Sequence, residues 1–236
     1  MEKRDLQCTM YELTDPSMPQ RVSLAVLVGI WIVLAGWLLL GNGLTVIGHY
    51  FGRQWIPGDS PRRILLFAGF ALYYVRILGT EFVFLKRGVA WSEVFTVAPW
   101  LLFIFLLLAI FGGTNSEPLG RAGAIGVFLY LVGSFANFAS EYSRHRWKQH
   151  PENRGHLYTA GFFRVTRHPN YLGDLLLFSG LCLLAGSCIT AIIPVLMLAG
   201  FVFVNIPALD AHLHDHYGAE FDAYAQHTAK LIPFVY

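Results

Sequence analysis

Between residues 144 and 174 the chain concentrates the residue types that bind phosphate groups. Six cations, interleaved with aromatic and histidine side chains, fall here: Arg144, Arg146, Lys148, Arg154, Arg164 and Arg167. Arginine and lysine bind phosphates through charge-assisted hydrogen bonds, and aromatic faces stack on planar rings. A basic loop that lies against anionic lipid has the same composition. The segment therefore predicts either a phosphate-binding site or a membrane-surface loop.

A helix is expected to begin at the end of this segment. Pro169 disfavours helical geometry at His168, so Asn170 and Tyr171 should lie in the first turn. The N-terminus of a helix favours anions, which suits a phosphate ligand. Asp174 lies one turn inside the helix. Its carboxylate could complement the helix dipole or accept a hydrogen bond from a ligand, and the residue pattern leaves both open.

Two charges also interrupt an apolar stretch earlier in the chain. Arg76 and Glu81 follow Tyr73 and Tyr74 in this run. Charges inside a membrane usually face the protein interior. Five residues of helix correspond to a rotation of about 500°, so the two charges should diverge by about 140° and not pair. Arg76 could extend its charged end to the interface, and Glu81 fits either a structural or a substrate-polarising role.

A cluster of histidines near the C-terminus invites a metal interpretation. His212 and His216 share one helical face. No glutamate follows His212, and the paired histidine clusters of membrane di-metal enzymes are missing. We therefore predict no metal site and regard these histidines as interfacial polar residues. The cysteines Cys8, Cys182 and Cys188 form no metal-binding pattern, and we predict that they are reduced.

Composition places the chain among membrane proteins. Of its 236 residues, 55% are hydrophobic and 14% are charged, whereas soluble domains carry about 25% charged residues. A net charge of +2 is too small to suggest a nucleic-acid partner. A span needs about 20 apolar residues. The predicted spans are Val22–Leu40, Ile64–Leu85, Val94–Phe111, Ala122–Ala139 and a hairpin of two shorter helices within Leu172–Pro207, centred on Gly186 and Ser187.

These segments predict an all-α polytopic membrane protein of about six helices, with both termini on one side. That side would hold twelve lysines and arginines, against four on the other side, so it should face the cytoplasm. The N-terminal stretch lacks the layout of a cleaved signal peptide, so the first span should be retained. We predict a single membrane domain, in a bacterial inner membrane, whose residues 1–143 set substrate choice and whose residues 144–236 bind a cofactor.

The sequence Arg-His-Pro-Asn-Tyr-Leu-Gly-Asp at 167–174 resembles the signature of the sterol reductase and steroid 5α-reductase superfamily. Other residues of the C-terminal part fit the same pattern: Arg144, Lys148, Pro151, Asn153, Arg154, Gly155, Gly161, Tyr217, Gly218, Phe221, Tyr224, Ile232, Pro233 and Tyr236. Asp210 stands where many relatives carry glutamate. Isoprenylcysteine carboxyl methyltransferases share the C-terminal helices and an Arg-His-Pro-x-Tyr core, and they bind S-adenosylmethionine in the equivalent place.

The resemblance implies an NADPH-dependent reductase of a carbon–carbon double bond in a steroid, sterol or isoprenoid lipid. It implies a cofactor site formed by Arg144, Lys148, Asn153, Arg154, Arg164, Arg167, His168, Asn170, Tyr171, Asp174, Asp210, Tyr217 and Tyr224. A tyrosine or a protonated acid near the hydride acceptor can polarise it, and the candidates are Tyr73, Tyr74 and Glu81.

Two further functions stay open on the sequence. One is a membrane methyltransferase that uses S-adenosylmethionine on a lipid-borne group, and the six cations count mildly against it because that cofactor carries no phosphate. The other is a non-catalytic membrane protein that keeps the scaffold for interaction or lipid binding. If the protein is either of the two enzymes, we expect its substrate to be a small lipid-soluble molecule that enters from the bilayer. The sequence indicates no obligate protein partner.

Overall fold

The computed structural model describes residues 17–236, and this part of the chain is built from α-helices. Its only β-type contact is an isolated bridge between Thr166 and Ala229. Several predictions fall on the first 16 residues and lie outside the described part. These are the predicted cytoplasmic placement of Lys3 and Arg4, the predicted reduced state of Cys8 and the prediction that no signal peptide is cleaved. Cys182 and Cys188 are both free thiols.

Nine helices account for most of residues 17–236: Met18–Leu40 (α1), Gly43–Tyr50 (α2), Ser60–Gly79 (α3), Trp91–Gly113 (α4), Arg121–Lys148 (α5), Pro169–Ala185 (α6), Ile192–Gly200 (α7), Ile206–Tyr217 (α8) and Ala219–His227 (α9). A π-helical turn, Thr80–Phe84, extends α3, and a second one, Phe201–Asn205, joins α7 to α8. Short 3₁₀ turns cover Pro151–Asn153, Gly161–Arg164 and Cys188–Ala191.

Five of these helical stretches are long and apolar enough to cross a membrane: Met18–Leu40, Ser60–Phe84, Trp91–Gly113, Arg121–Lys148 and Cys188–Tyr217. The apolar helix α6 is shorter, at 17 residues. The predicted all-α polytopic class is thereby confirmed. The predicted hairpin turn is present, because α6 ends at Ala185 and Gly186 adopts the left-handed conformation with φ of 68°. A Cβ atom there would lie 2.6 Å from the Arg62 guanidinium, so glycine suits this turn in both respects. The prediction of two shorter helices is wrong for the second arm, because Cys188–Tyr217 is 30 residues long and continues past Pro207.

Arginines counted above as loop charges bind the C-terminal ends of neighbouring helices. Arg21 donates to the carbonyls of Glu81, Leu85 and Arg87, at the end of the π turn after α3. Arg62 and Arg63 act in the same way on Leu184 of α6 and Leu39 of α1. The last carbonyls of a helix lack partners and carry partial negative charge, so a guanidinium satisfies both needs. These side chains therefore fix helix ends as well as contributing to the charge asymmetry.

Glycine pairs let α5 and α6 approach each other backbone to backbone. A Cβ on Gly126 would lie 2.6 Å from the carbonyl oxygen of Gly180, and one on Gly173 would lie 2.7 Å from that of Gly133. Without the usual hydrophobic drive between helices in lipid, such small residues permit close van der Waals packing. The contact aligns the C-terminal half of α5 with the start of α6, where many of the predicted site residues lie.

Replacing Gly133 by alanine should separate these two helices. The new methyl group would overlap the Gly173 carbonyl and the Leu177 amide, so the free energy of unfolding should fall by about 1–3 kcal/mol, as in other overpacked interiors. The thermal midpoint of the detergent-purified protein measures this change. The matched control is Gly79→Ala, where a Cβ meets open space and stability should hold or rise slightly. Equal midpoints for Gly133→Ala and the unmodified protein would contradict the packing argument.

Candidate functional site

A cavity of about 500 Å³, called the basic cavity below, lies between the segment after α3, the end of α5, the 157–170 segment and the C-terminal helices. Its volume falls within the range of small-molecule sites, roughly 300–1,000 Å³. The lining residues are Phe84, Lys86, Arg87, Glu141, Arg144, His145, Lys148, Gln149, Leu157, Tyr158, Phe163, Arg167, His168, Asn170, Leu209, Leu213, Tyr217 and Tyr224.

Three arginines in this cavity are neutralised by carboxylates. Arg144 pairs with Glu141 at 2.6 Å, Arg87 with Glu93 at 2.7 Å, and Arg167 with Asp210 at 3.2 Å. The two lysines, Lys86 and Lys148, form no ion pair within residues 17–236. Lys148 Nζ donates instead to the Tyr217 hydroxyl at 2.8 Å and to the His156 carbonyl at 2.6 Å. The cavity therefore carries an excess of positive charge.

The Arg167–His168 motif is held in place by the final helices. Asp210 of α8 reaches both residues, with Oδ1 3.0 Å from His168 Nε2 and Oδ2 3.2 Å from Arg167 Nη1. Aspartate at position 210 is therefore long enough to bind both side chains of the motif. His168 is fully enclosed, and its ring stacks on Tyr171, which stacks in turn on Phe201 at 4.6 Å between centroids. Asp210 and Tyr171 therefore hold Arg167 and His168 in place.

Tyr224 of α9 closes one wall of the basic cavity. Its hydroxyl donates to the Phe163 carbonyl at 2.5 Å, which ties the C-terminal helix to the loop before α6. Burial raises the pKa of the Tyr224 phenol above its ordinary value, and nearby Arg167 opposes this effect in part. The phenol therefore stays neutral around physiological pH and remains a hydrogen-bond donor. The parallel contact of Thr166 with Ala229 fixes the same loop a second time.

A second cavity of about 190 Å³, called the polar chamber below, lies among the membrane-spanning helices. It is lined by Leu24, Tyr73, Arg76, Ile77, Thr80, Glu81, Val97, Asn137, Glu141, Asn170 and Asp174. Glu141 and Asn170 line both cavities, so the two spaces adjoin at these residues.

An ion pair between α3 and α6 organises the polar chamber. Arg76 Nη2 lies 2.6 Å from Asp174 Oδ1, and that oxygen also accepts from Asn137 Nδ2 at 3.1 Å. The Arg76 guanidinium lies 4.7 Å from the centroid of the Tyr73 ring. The suggestion that Arg76 extends to the interface is wrong, because Asp174 holds it inside the protein. Arg76 and Glu81 do not pair with each other within the described residues, as the helical geometry predicted.

The structure brings most of the predicted cofactor residues into the basic cavity: Arg144, Lys148, Arg167, His168, Asn170, Tyr217 and Tyr224. Asp174 lines the polar chamber, together with the predicted catalytic residues Tyr73 and Glu81. The remaining predicted residues line neither space: Tyr74, Asn153, Arg154, Arg164, Tyr171 and Asp210.

Each residue outside the cavities has a local reason for its position. The Tyr74 hydroxyl donates to the Ala25 carbonyl at 3.1 Å, so this tyrosine joins α3 to α1. Asn153 donates to the Trp147 carbonyl at 2.9 Å and closes the turn after α5. Arg154 and Arg164 are exposed to solvent. No structural contact supports a direct catalytic role for Tyr74. None supports a direct cofactor contact for Asn153, Arg154 or Arg164 either.

Several lining residues escaped the sequence prediction. Lys86 and Arg87 come from the loop after α3, which the resemblance does not cover, and they were interpreted as loop charges only. Glu141 and Asn137 are buried polar residues near the C-terminal end of α5, and polar residues at the end of an otherwise apolar stretch were the available signal. Among residues 17–236 no group of three or more metal-binding side chains converges. The rings of His212 and His216 stack on one another.

Comparison with known proteins links the chain to reductases and methyltransferases of membranes. Residues 81–228, more than half of the chain, match the family model described as "Protein of unknown function (DUF1295)". The Delta(14)-sterol reductase TM7SF2 of Mus musculus is 25% identical over 190 residues, which cover 73% of this chain and 45% of that protein.

Two shorter similarities point to related enzymes. The 3-oxo-5-alpha-steroid 4-dehydrogenase 2 of Homo sapiens is 26% identical over 113 residues, covering 48% of this chain and 42% of that protein. A probable protein-S-isoprenylcysteine O-methyltransferase of Oryza sativa subsp. indica is 30% identical over 86 residues, covering 36% of this chain and 45% of that protein. The chain spans less than half the length of each of these curated relatives. The resemblance noted in the sequence is confirmed.

Replacing Asp210 by asparagine should loosen the motif. The change removes the negative charge that holds Arg167, whose side chain is only 7% exposed, so the free energy of unfolding should fall by about 1–3 kcal/mol. Asp210→Glu retains the charge and should recover most of the loss. The control is Asp215→Asn, at a side chain 74% exposed, which should leave the thermal midpoint unchanged. If Asp210→Asn and Asp215→Asn behave alike, Asp210 does not organise the motif.

Proposed function

The chain belongs to the DUF1295 family, which covers steroid 5-alpha-reductase-like proteins, and we propose that it is a membrane-embedded NADPH-dependent reductase. The proposed reaction reduces a carbon–carbon double bond in a steroid, sterol or isoprenoid lipid. Two reductases are among its relatives, and the sterol reductase match extends over most of the chain, including the helices before residue 144.

The observation that carries this proposal is the excess positive charge of the basic cavity beside a polar chamber within the membrane. NADPH brings a pyrophosphate and a 2′-phosphate, and these need cations that no carboxylate already neutralises. Lys86 and Lys148 meet this requirement within residues 17–236, and aromatic side chains such as Tyr158 and Phe163 provide flat surfaces. The residues present therefore fit a phosphate-bearing dinucleotide.

Particular residues have definite tasks in this proposal. Lys148 and Lys86 would hold the phosphates, whereas Arg144 and Arg167 line the same cavity but stay paired with Glu141 and Asp210. Bound NADPH supplies a hydride. Asn170 and Glu141, at the junction of the two cavities, would orient the reacting end towards the polar chamber. A bound substrate would displace water from that chamber, which would strengthen the polar contacts inside it.

The acceptor in the polar chamber needs a group that polarises it and delivers a proton. Glu81 and Tyr73 line this chamber, whereas Tyr74 does not. A carboxylic acid or a phenol in an apolar site can donate a hydrogen bond to the acceptor and then a proton. We assign this role to Glu81 and Tyr73 together.

A methyltransferase that uses S-adenosylmethionine is the second candidate, and the similarity to the rice isoprenylcysteine O-methyltransferase favours it. That cofactor carries no phosphate, so it leaves Lys86 and Lys148 without an obvious role. For this reason the reductase is our first choice. In either case we propose that the basic cavity faces the cytoplasm, that the membrane is a bacterial inner membrane and that a lipid-soluble substrate enters between the helices.

Cofactor binding separates the two candidates. Titration of the detergent-purified full chain should show saturable binding of NADP⁺, and Lys148→Gln should weaken it about tenfold because one charged donor is lost. The control Lys230→Gln alters an exposed lysine outside the cavity and should bind like the unmodified protein. Saturable binding of S-adenosylhomocysteine without any binding of NADP⁺ would reverse the assignment.

Loss of the polarising groups should slow the reaction without weakening the binding of the cofactor. Glu81→Gln and Tyr73→Phe should each lower kcat by about 10²–10⁴, the usual contribution of a general acid, while the Kd for NADP⁺ stays constant. The control Tyr130→Phe removes another buried hydroxyl, one that donates to the Gly69 carbonyl at 2.7 Å outside both cavities. An unchanged kcat in Glu81→Gln and Tyr73→Phe would remove these residues from the mechanism.

A further inference from the structure

The polar chamber contains two buried polar atoms that lack partners. Arg76 Nη1 and Glu81 Oε2 form no hydrogen bond with any described residue, although both side chains line the chamber. The Arg76 side chain is only 9% exposed. Buried polar groups almost always find a partner, and each unsatisfied one is costly. The chamber is therefore incomplete as the chain alone builds it.

The unused capacity of Arg76 is a donor of fixed orientation. Its Nη2 is bound to Asp174, which also accepts from Asn137, so the guanidinium cannot turn away without breaking this network. Arginine donates hydrogen bonds but accepts none. The missing partner must accordingly be an acceptor, which either a water molecule or an oxygen atom of a ligand can supply, and tighter binding of oxygen-bearing ligands is the result that only the second predicts.

We propose that Arg76, oriented by Asp174, binds an oxygen atom on the head of the lipid substrate. This inference rests on the proposed function for the identity of the ligand as a substrate. The class of lipid follows from the donor: the head carries a carbonyl or a hydroxyl oxygen, and a bare hydrocarbon alkene has nothing to offer. A carbonyl or hydroxyl oxygen accepts from Arg76 Nη1, and the acid form of Glu81 that the proposed reaction uses can donate to the same oxygen.

The size of the chamber limits how much of the lipid it holds. A volume of about 190 Å³ is below the roughly 300 Å³ at which pockets for whole small molecules begin. The chamber therefore takes the oxygen-bearing head, and the apolar remainder of the lipid extends between the helices into the bilayer. Oxygen chemistry at the head, more than the shape of the tail, is then the first determinant of binding.

A matched series of ligands tests this proposal without any cofactor. The probes 4-nonylcyclohexanone, 4-nonylcyclohexanol and nonylcyclohexane differ only in their oxygen function. Binding to the detergent-purified full chain is followed by thermal shift and by tryptophan fluorescence. The ketone and the alcohol should each bind about tenfold more tightly than the hydrocarbon, in line with one hydrogen bond to a charged donor.

The decisive variant removes both partners of the ion pair. Arg76→Met combined with Asp174→Leu leaves neither member of the ion pair as an unpaired buried charge, so it should fold even where Arg76→Met alone does not. In this double variant the three probes should bind equally, and Tyr130→Phe should retain the preference for oxygen. Equal binding of the three probes to the unmodified protein would overturn the proposal, as would a preference for oxygen that survives the double variant. Because no nucleotide is present, failure of NADP⁺ binding would leave this result independent.

Discussion

The close approach of α5 and α6 is the constraint on which the site depends. Gly126, Gly133, Gly173 and Gly180 keep side chains out of this interface, so the two backbones lie in contact. Asn137 of α5 donates to the Asn170 carbonyl of α6 at 2.9 Å, and Glu141 and Asn170 form the shared lining, the junction, of the basic cavity and the polar chamber. A wider separation would open this junction and disconnect the two spaces.

The ion pair between Arg76 and Asp174 joins the earlier helices to this glycine-packed pair. It links α3 to α6 across 98 residues of sequence, and Asn137 of α5 binds the same carboxylate. A buried ion pair adds little net stability, because desolvation offsets the attraction, but removing one partner alone is strongly unfavourable. Its contribution is therefore orientation: it gives the chamber a donor of fixed direction, while Arg21 and Arg62 fix the ends of the helices around it.

Much of the fold could be predicted from the sequence, because span length and charge are properties of single segments. The hairpin at Gly186 and the start of α6 at Pro169 followed from local rules for glycine and proline. The pairing of Arg76 with Asp174 could not be predicted, since it depends on which faces of two distant helices meet. The contribution of Lys86 was missed for the same reason. Tyr73 and Tyr74 are the same residue type side by side, so the sequence could not show that only Tyr73 lies on the helix face that lines the polar chamber.

The central claim is that a phosphate-bearing dinucleotide occupies the basic cavity with its reacting end at the polar chamber. A crystal structure of the protein with bound NADP⁺ tests this claim most directly. We predict that phosphate oxygens lie within hydrogen-bonding distance of Lys148 or Lys86 and that the nicotinamide ring lies beside Asn170 and Glu141. A nucleotide bound outside this cavity, or one whose adenine end lies at Asn170, would contradict it.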